Sequence, residues 1–259
     1  MYSTFAAGTN VGRRDNNEDS YACDAEHGLW LVADGVGGLS LGEVASAIST
    51  YTITRMVNSG QGVNQAIEAA HQQIKTYAID TANSANMGCT IVLLLSRGSL
   101  YNIFWAGDCR AYLLEEGGIT LLTVDHSHAQ YLIDSGELTP EQAEQDARRN
   151  GITKALGIQQ LDAVRADTIS GRWKHGQKIL LCSDGLSGCV EDATINAILH
   201  TPVSDDQKID LLIKAALDAG GKDNITAILV TPSPAALSSD DDSTEVPANV
   251  DLNEFNRIP

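Results

Sequence analysis

Carboxylates are the residues of this chain best placed to do chemistry. The run "LWLVADGVGG" is apolar from Leu29 to Ala33 and then meets Asp34 and Gly35, and "KILLCSDGLSG" repeats the plan with Asp184 and Gly185. "AGGKDNITAILV" reverses it, setting Asp223 after two glycines and just before an apolar run. "RRDNNEDSY" adds Arg14, Glu18 and Asp19 beside a strand, and "WAGDCRAYLL" puts Asp108 in a turn between two strands. Aspartate is a poor strand former and an isolated buried carboxylate is costly, so each of these must reach water or find a partner. Where several such ends meet, each pair ~4 Å apart repels by roughly 4 kcal/mol at an effective dielectric near 20, and protons or cations are what relieve it. An oxygen-only donor set with no His–Cys cluster suits Mg²⁺ or Mn²⁺ better than zinc or copper. Any one Asp-Gly is more often a plain turn; the inference rests on the number of segments that share the theme.

The surrounding composition narrows the class. In 259 residues, 17 Lys and Arg stand against 34 Asp and Glu, a net charge of −17, which argues against a nucleic-acid or anionic-membrane surface because either needs a basic face. A phosphate-bearing partner would then need a bound cation. The five cysteines, Cys23, Cys89, Cys109, Cys182 and Cys189, are scattered with no C-x-x-C, which removes a disulfide framework and a zinc knuckle. "MYSTFAAGTNVGRRD" lacks a basic region followed by an apolar stretch, and "TIVLLL" is far short of the ~20 residues of a membrane helix. The expectation is a soluble cytoplasmic protein with reduced thiols.

Elements must position these carboxylates. Strands are expected at about Tyr21 to Cys23 and Leu29 to Ala33, followed by two helices, "GEVASAISTYTITRMVN" and "VNQAIEAAHQQIKTYAIDTAN". "CTIVLLLS", "SLYNIFWA", "RAYLLEE" and "ITLLTV" are short apolar runs divided by "RG", "GDC" and "GG", the spacing of an antiparallel meander, and no βαβ alternation points to a parallel sheet. Residues 127–151 read as a polar helical flap, with Thr139, Pro140 and Gln142 forming a helix start. "VRADTIS", "KILLCS" and "NITAILV" read as strands, "EDATINAILH" as a helix, and "SDDQKIDLLIKAALDAGG" as a helix capped by Ser204 and Gln207 and closed at Gly220. Beyond Thr231 the Pro-, Ser- and Asp-rich composition predicts a disordered acidic tail, residues 232–259.

In register, "GRRDNNED", "VADGVGGLSLGEVAS", "MGCTIVLLL", "WAGDCRAYLL", "TVDHS", "ITKALG", "CSDGLSG" and "GGKDNITAILV" resemble the metal-dependent serine/threonine protein phosphatases of type 2C in their bacterial form. The resemblance covers about Thr4 to Thr231. It implies an α+β fold, a β-sandwich of two antiparallel sheets flanked by helices in α-β-β-α layers, with one catalytic domain over 1–231 and the flap at about 127–151. It also implies two Mn²⁺ or Mg²⁺ ions and a third, weaker one. By position, Asp34 resembles the carboxylate that bridges both metals, aided by the carbonyl of Gly35. Asp184 and Asp223 resemble ligands of one metal, and Asp19 the residue that holds the other through its water shell, with Glu18 as its neighbour. Asp108 with Asp184 matches the third site, and Arg14 the arginine that grips the substrate phosphate. A hydroxide between two metals can attack phosphorus in line, so no protein nucleophile is needed, and the planar fork of Arg14 matches two phosphate oxygens.

The chain departs from the family pattern at Val36, where many members carry a histidine able to protonate the leaving alkoxide, at Cys109 in place of serine, at Asp146 in the flap, and at Lys154 in place of arginine. His126 in "DHS" and Asp125 read as structural groups held by backbone and neighbours, and Cys182 as a core residue. The expected activity is hydrolysis of phosphoserine and phosphothreonine on proteins, opposing a serine/threonine kinase, by a monomer that binds phosphorylated proteins but neither nucleic acid nor membrane. The alternative is a catalytically weak, metal-binding protein that recognises phosphopeptides. A phosphoacceptor receiver domain fails on length and on the meander of strands.

Overall fold

The structure is a computed structural model that describes residues 3–36, 41–80, 86–143, 146 and 151–237. Among them ten strands form two five-stranded antiparallel sheets. One sheet runs in the order β1 (Thr4–Asn10), β10 (Ile225–Thr231), β9 (Lys178–Cys182), β6 (Arg110–Glu115), β7 (Gly118–Leu121). The other runs β2 (Ser20–Asp24), β3 (Leu29–Gly35), β4 (Cys89–Arg97), β5 (Leu100–Ala106), β8 (Asp167–Arg172).

Side-chain alternation explains the layering. Along β3, Trp30 and Val32 enter the core between the sheets, while Leu29, Leu31 and Ala33 face α1 (Gly42–Asn58) and α2 (Val63–Asp80). Along β10, Ile228 and Val230 join the inter-sheet core, and Ile225, Ala227 and Leu229 pack against the side of α6 (Asp192–Leu199) and α7 (Asp205–Asp218). Strands buried on both faces need near-continuous apolar runs, which is what "LWLVA" and "ITAILV" supply. The same parity puts Asp34 on the face of Trp30 and Val32, at the open end of the sandwich.

The expected α-β-β-α sandwich is therefore the observed fold. The capping box of α7 forms as expected, with Ser204 Oγ accepting from the Gln207 N–H and Gln207 Oε1 from the Ser204 N–H. In the flap, Thr139 and Gln142 exchange the same pair of bonds at the start of α4 (Pro140–Ala143), which follows α3 (His128–Asp134). Residues 144–145 and 147–150 of the flap lie outside the described residues, as do 37–40 and 81–85.

Three features differ from the expectations. No strand was expected before Tyr21, yet β1 pairs with β10 over its full length, Thr4 opposite Thr231 to Asn10 opposite Ile225. The "AAG" at its centre has little strand propensity of its own and is held by the ladder. Asp184 does not simply end a strand: it opens the one-turn helix α5 (Asp184–Ser187). Six residues of the expected tail, 232–237, are described, and they include α8 (Pro234–Leu237), whose Ala236 is buried in the inter-sheet core. The remainder of that segment, 238–259, lies outside the described residues. Among the described residues no helix is long and apolar enough to cross a membrane.

Candidate metal centre and active site

Asp34 is the penultimate residue of β3, opposite Thr90 in β4, and Gly35 donates its N–H to the Glu18 carbonyl at 3.2 Å. A Cβ at Gly35 would sit 2.7 Å from the Gly42 backbone carbon, so this close approach of β3 to the start of α1 requires glycine. Asp184 follows Ser183 just past the end of β9, Asp223 stands two residues before the start of β10, Asp19 leads into β2, and Asp108 lies in the β5–β6 turn. Antiparallel pairing of these strands delivers all five carboxylates to one end of the sandwich.

Their electrostatics record the meeting. Asp34 is pushed well above the usual carboxylate range, first by burial and then by the charges of Asp184, Asp19 and Asp108, and the Asp184 carboxylate is near enough to share a proton with it. Asp184 is raised by burial and by Asp223. Burial, together with Asp184, lifts Asp108 to about 7. Asp19 rises to about 6 through burial, partly offset by hydrogen bonds, with Asp184 and Asp223 adding to the rise. Asp19 Oδ1 is buried with no hydrogen-bond partner, while its Oδ2 accepts from Ser183 Oγ at 2.8 Å. An orphaned buried oxygen among crowded carboxylates is a site that favours a cation, and its all-oxygen donors fit a hard divalent ion. Among the described residues no three His, Cys, Asp or Glu side chains yet close around a single point. Asp223 is turned onto Arg14 instead, its Oδ2 accepting from Nη2 at 2.6 Å.

Arg14 sits on the loop between β1 and β2, partly exposed at the lip of the cluster. That loop is fastened to the β10 end. Gly12 has φ +61, and a Cβ there would fall 2.2 Å from the Asp223 carbonyl oxygen, so the tight crossing again requires glycine. Glu18 lies below, its carboxylate against Gly42, raised in pKa by burial and by Glu43.

Next to Asp108 and Asp184 a cleft of about 460 Å³ opens toward the flap, walled by Ile133 of α3 and by Pro140 and Ala143 of α4. Arg110 and Asp125 line it as a closed pair, with Nε 2.9 Å and Nη2 2.7 Å from the two carboxylate oxygens. Asp125 is thus a structural partner, as expected, and His126 is likewise held by backbone, accepting the Gly107 N–H at Nδ1. Cys182 is buried in the core. Val36 donates its N–H to the Gly88 carbonyl, and the Asp146 N–H bonds the Ala143 carbonyl.

A family model described as Protein phosphatase 2C matches residues 9–229. The chain belongs to the protein phosphatase 2C family. It is 33% identical over 252 residues to the serine/threonine protein phosphatase PstP of Mycobacterium tuberculosis, a match covering 90% of this chain and 48% of PstP, so the chain spans about half the length of that relative. With the serine/threonine phosphatase stp of Listeria welshimeri it shares 32% identity over 244 residues, covering 89% of this chain and 95% of stp. The crystal structure of the PstP catalytic domain in complex with two manganese ions superposes with a TM-score of 0.77 at 32% identity, covering 89% of this chain and 98% of that one.

Two residues of this protein phosphatase 2C site were missed in the sequence. Asn224, 3% exposed, donates from Nδ2 to the Val11 and Asn16 carbonyls at 2.9 and 3.0 Å and accepts the Glu18 N–H at 2.8 Å. It therefore clamps both ends of the Arg14 loop. Ser183, fully buried, accepts the Thr226 N–H at 3.0 Å while donating to Asp19. Both stand beside the aspartates in "KDNIT" and "CSDG", and a polar residue between an apolar run and a carboxylate is the signal that marks them.

Proposed function

We propose that this chain hydrolyses phosphoserine and phosphothreonine on proteins. The observation that carries the reading is the crowding of Asp19, Asp34, Asp108, Asp184 and Asp223 at one end of the sandwich with Arg14 at its lip. Asp34, with the Gly35 carbonyl, would be shared by two Mn²⁺ or Mg²⁺ ions, Asp184 and Asp223 would serve one, and Asp19 the other. Asp108 with Asp184 would hold a third, weaker ion. When bound, such ions supply Lewis acidity toward the phosphate and its attacking water. Support comes from the phosphatase relatives and from the two manganese ions of the PstP catalytic domain.

The chain's own residues bind and orient. Arg14 offers two N–H groups in one plane to two phosphate oxygens. Its present partner is Asp223, which would also be a ligand for a cation, and a cation held there would leave Arg14 to the substrate. Ser183 holds Asp19 in place, and Asn224 sets the loop from which Arg14 reaches. The Val36 side chain has no proton to give, so the leaving alkoxide would take one from water or from another group, or leave with less help. In the finer reading the protein acts as a cytoplasmic monomer, and its substrates include a serine/threonine kinase or that kinase's targets.

Phosphate release from a phosphothreonine peptide, measured with Mn²⁺, with Mg²⁺ and with excess EDTA, tests the proposal. Release that requires metal is the expected result. Binding of the peptide with no release under any metal would move the chain to the phosphopeptide-recognition alternative.

A further inference from the structure

His126 lies outside the carboxylate cluster, yet three parts of the fold that bear on it converge on this residue. Its Nδ1 accepts the Gly107 N–H at 3.0 Å, and its own backbone N–H donates to the Gly107 carbonyl at 2.9 Å, so both polar groups of the residue preceding Asp108 are held by one neighbour. Because Nδ1 accepts, the ring proton sits on Nε2, 3.4 Å from Asp167 Oδ2. Asp167 in turn is ion-paired with Lys154, on the segment that returns from the flap. The His126 carbonyl accepts the Thr153 N–H at 2.8 Å, and the next two residues join the returning segment through the Ser127–Ile152 bridge and the His128 N–H to Gly151 carbonyl bond. The ring is stacked on Trp105 at a 19° interplanar angle, and Trp105 Nε1 donates to the Val124 carbonyl at 2.8 Å. Both stems of the flap and the turn that carries Asp108 thus close on one imidazole, which is only 18% exposed.

We propose that His126 is a positioning residue: through Gly107 it places Asp108, and through Asp167 and Lys154 it ties that placement to the flap. The inference rests on the reading of Asp108 as a metal ligand. Filling space alone would need neither ring nitrogen, whereas here each nitrogen faces a different one of the two elements. The geometry separates the two arms. His126→Asn puts an amide oxygen near the place of Nδ1, keeping an acceptor for Gly107 while losing reach to Asp167. His126→Gln puts an amide nitrogen near the place of Nε2, keeping the link to Asp167 while leaving the Gly107 N–H without an acceptor.

The test is the number of Mn²⁺ ions bound by the full chain, counted by electron paramagnetic resonance of the free ion, alongside KM for a phosphothreonine peptide. Asp108→Asn and His126→Gln are both expected to bind one ion fewer than the unmutated chain at millimolar Mn²⁺. His126→Asn is expected to keep the full count and to raise KM severalfold. A full count for His126→Gln, with a thermal midpoint lowered equally in both His126 variants, overturns the positioning role and leaves a packing residue. A full count for Asp108→Asn overturns the ligand reading itself and the inference with it. Should His126→Gln fail to fold, Asp167→Asn at its half-exposed position reads the flap arm alone. A KM unchanged there overturns the link to the flap.

Discussion

The Arg14 guanidinium and the Asp223 carboxylate meet at 2.6 Å although 209 positions separate them in the chain. The pair joins the residue assigned to phosphate with one assigned to metal, so each ligand biases the other's partner. Arg14 is raised in pKa chiefly by its bond to Asp223 and is charged at every working pH. Arg14→Lys keeps the charge and loses the planar fork. A charge-assisted bond is worth about 1.5–3 kcal/mol, so kcat/KM for a phosphothreonine peptide is expected to fall about 10- to 100-fold, with the Mn²⁺ count unchanged. An unaltered kcat/KM would remove Arg14 from phosphate binding.

Asp34→Asn tests the bridging assignment from two directions. Turnover is expected to drop to background, because an amide cannot serve two cations as a carboxylate does. In EDTA the same variant is expected to be more stable than the parent by a few degrees, since one charge leaves a cluster in which burial and three neighbouring aspartates already oppose it. Calorimetry in EDTA and phosphate release in Mn²⁺ read the two effects separately. Retained turnover with normal metal affinity would falsify the bridging role.

The sandwich was legible because its strands are buried on both faces and therefore announce themselves as continuous apolar runs ending in charge, as "LWLVADG" and "KILLCSD" do. Asp34 and Asp184 stood out for the same reason. β1 was not legible: Ala6, Ala7 and Gly8 at its centre carry little strand preference, and its order comes from the β10 ladder, a long-range pairing that no local window contains. The Asp184 helix was hidden by its length of four residues. Asn224 is not legible for a different reason. Its work is to accept and donate to backbone groups of a loop far away in the chain, and a side chain's distant backbone partners leave no trace in its neighbours' identities.

The carboxylate cluster gives the metal-stripped chain a pH dependence of defined sign. A group whose folded pKa lies above its unfolded value contributes stability that is full below the unfolded pKa and lost as pH rises through the folded one. Asp19 at about 6 and Asp108 at about 7, against an ordinary 3.8, set that window from about pH 4 to pH 7. The thermal midpoint in EDTA is therefore expected to receive a falling contribution across the window, and Mn²⁺ to restore most at its upper end, where protons no longer compete. Melting curves with and without Mn²⁺ at pH 5 and pH 7.5 check it. A metal-induced gain as large at pH 5 as at pH 7.5 would contradict the raised values.

Asn224→Ala separates the loop from the ligands. The side chain makes three hydrogen bonds to the segment from Val11 to Glu18 and touches no metal-assigned carboxylate by them. At about 1 kcal/mol each, their loss costs about 3 kcal/mol, or on the order of 6–12 °C in Tm for a chain of this size. The freed loop also carries Arg14, so KM for a phosphopeptide is expected to rise several-fold, while a substrate small enough to need little positioning, such as p-nitrophenyl phosphate, loses less. Asn224→Asp should be worse than alanine, because a carboxylate would face the Val11 and Asn16 carbonyls with no proton to donate. If Asn224→Ala lowers Tm but leaves KM for the peptide untouched, the clamp is structural only, and the placement of Arg14 is set by its bond to Asp223.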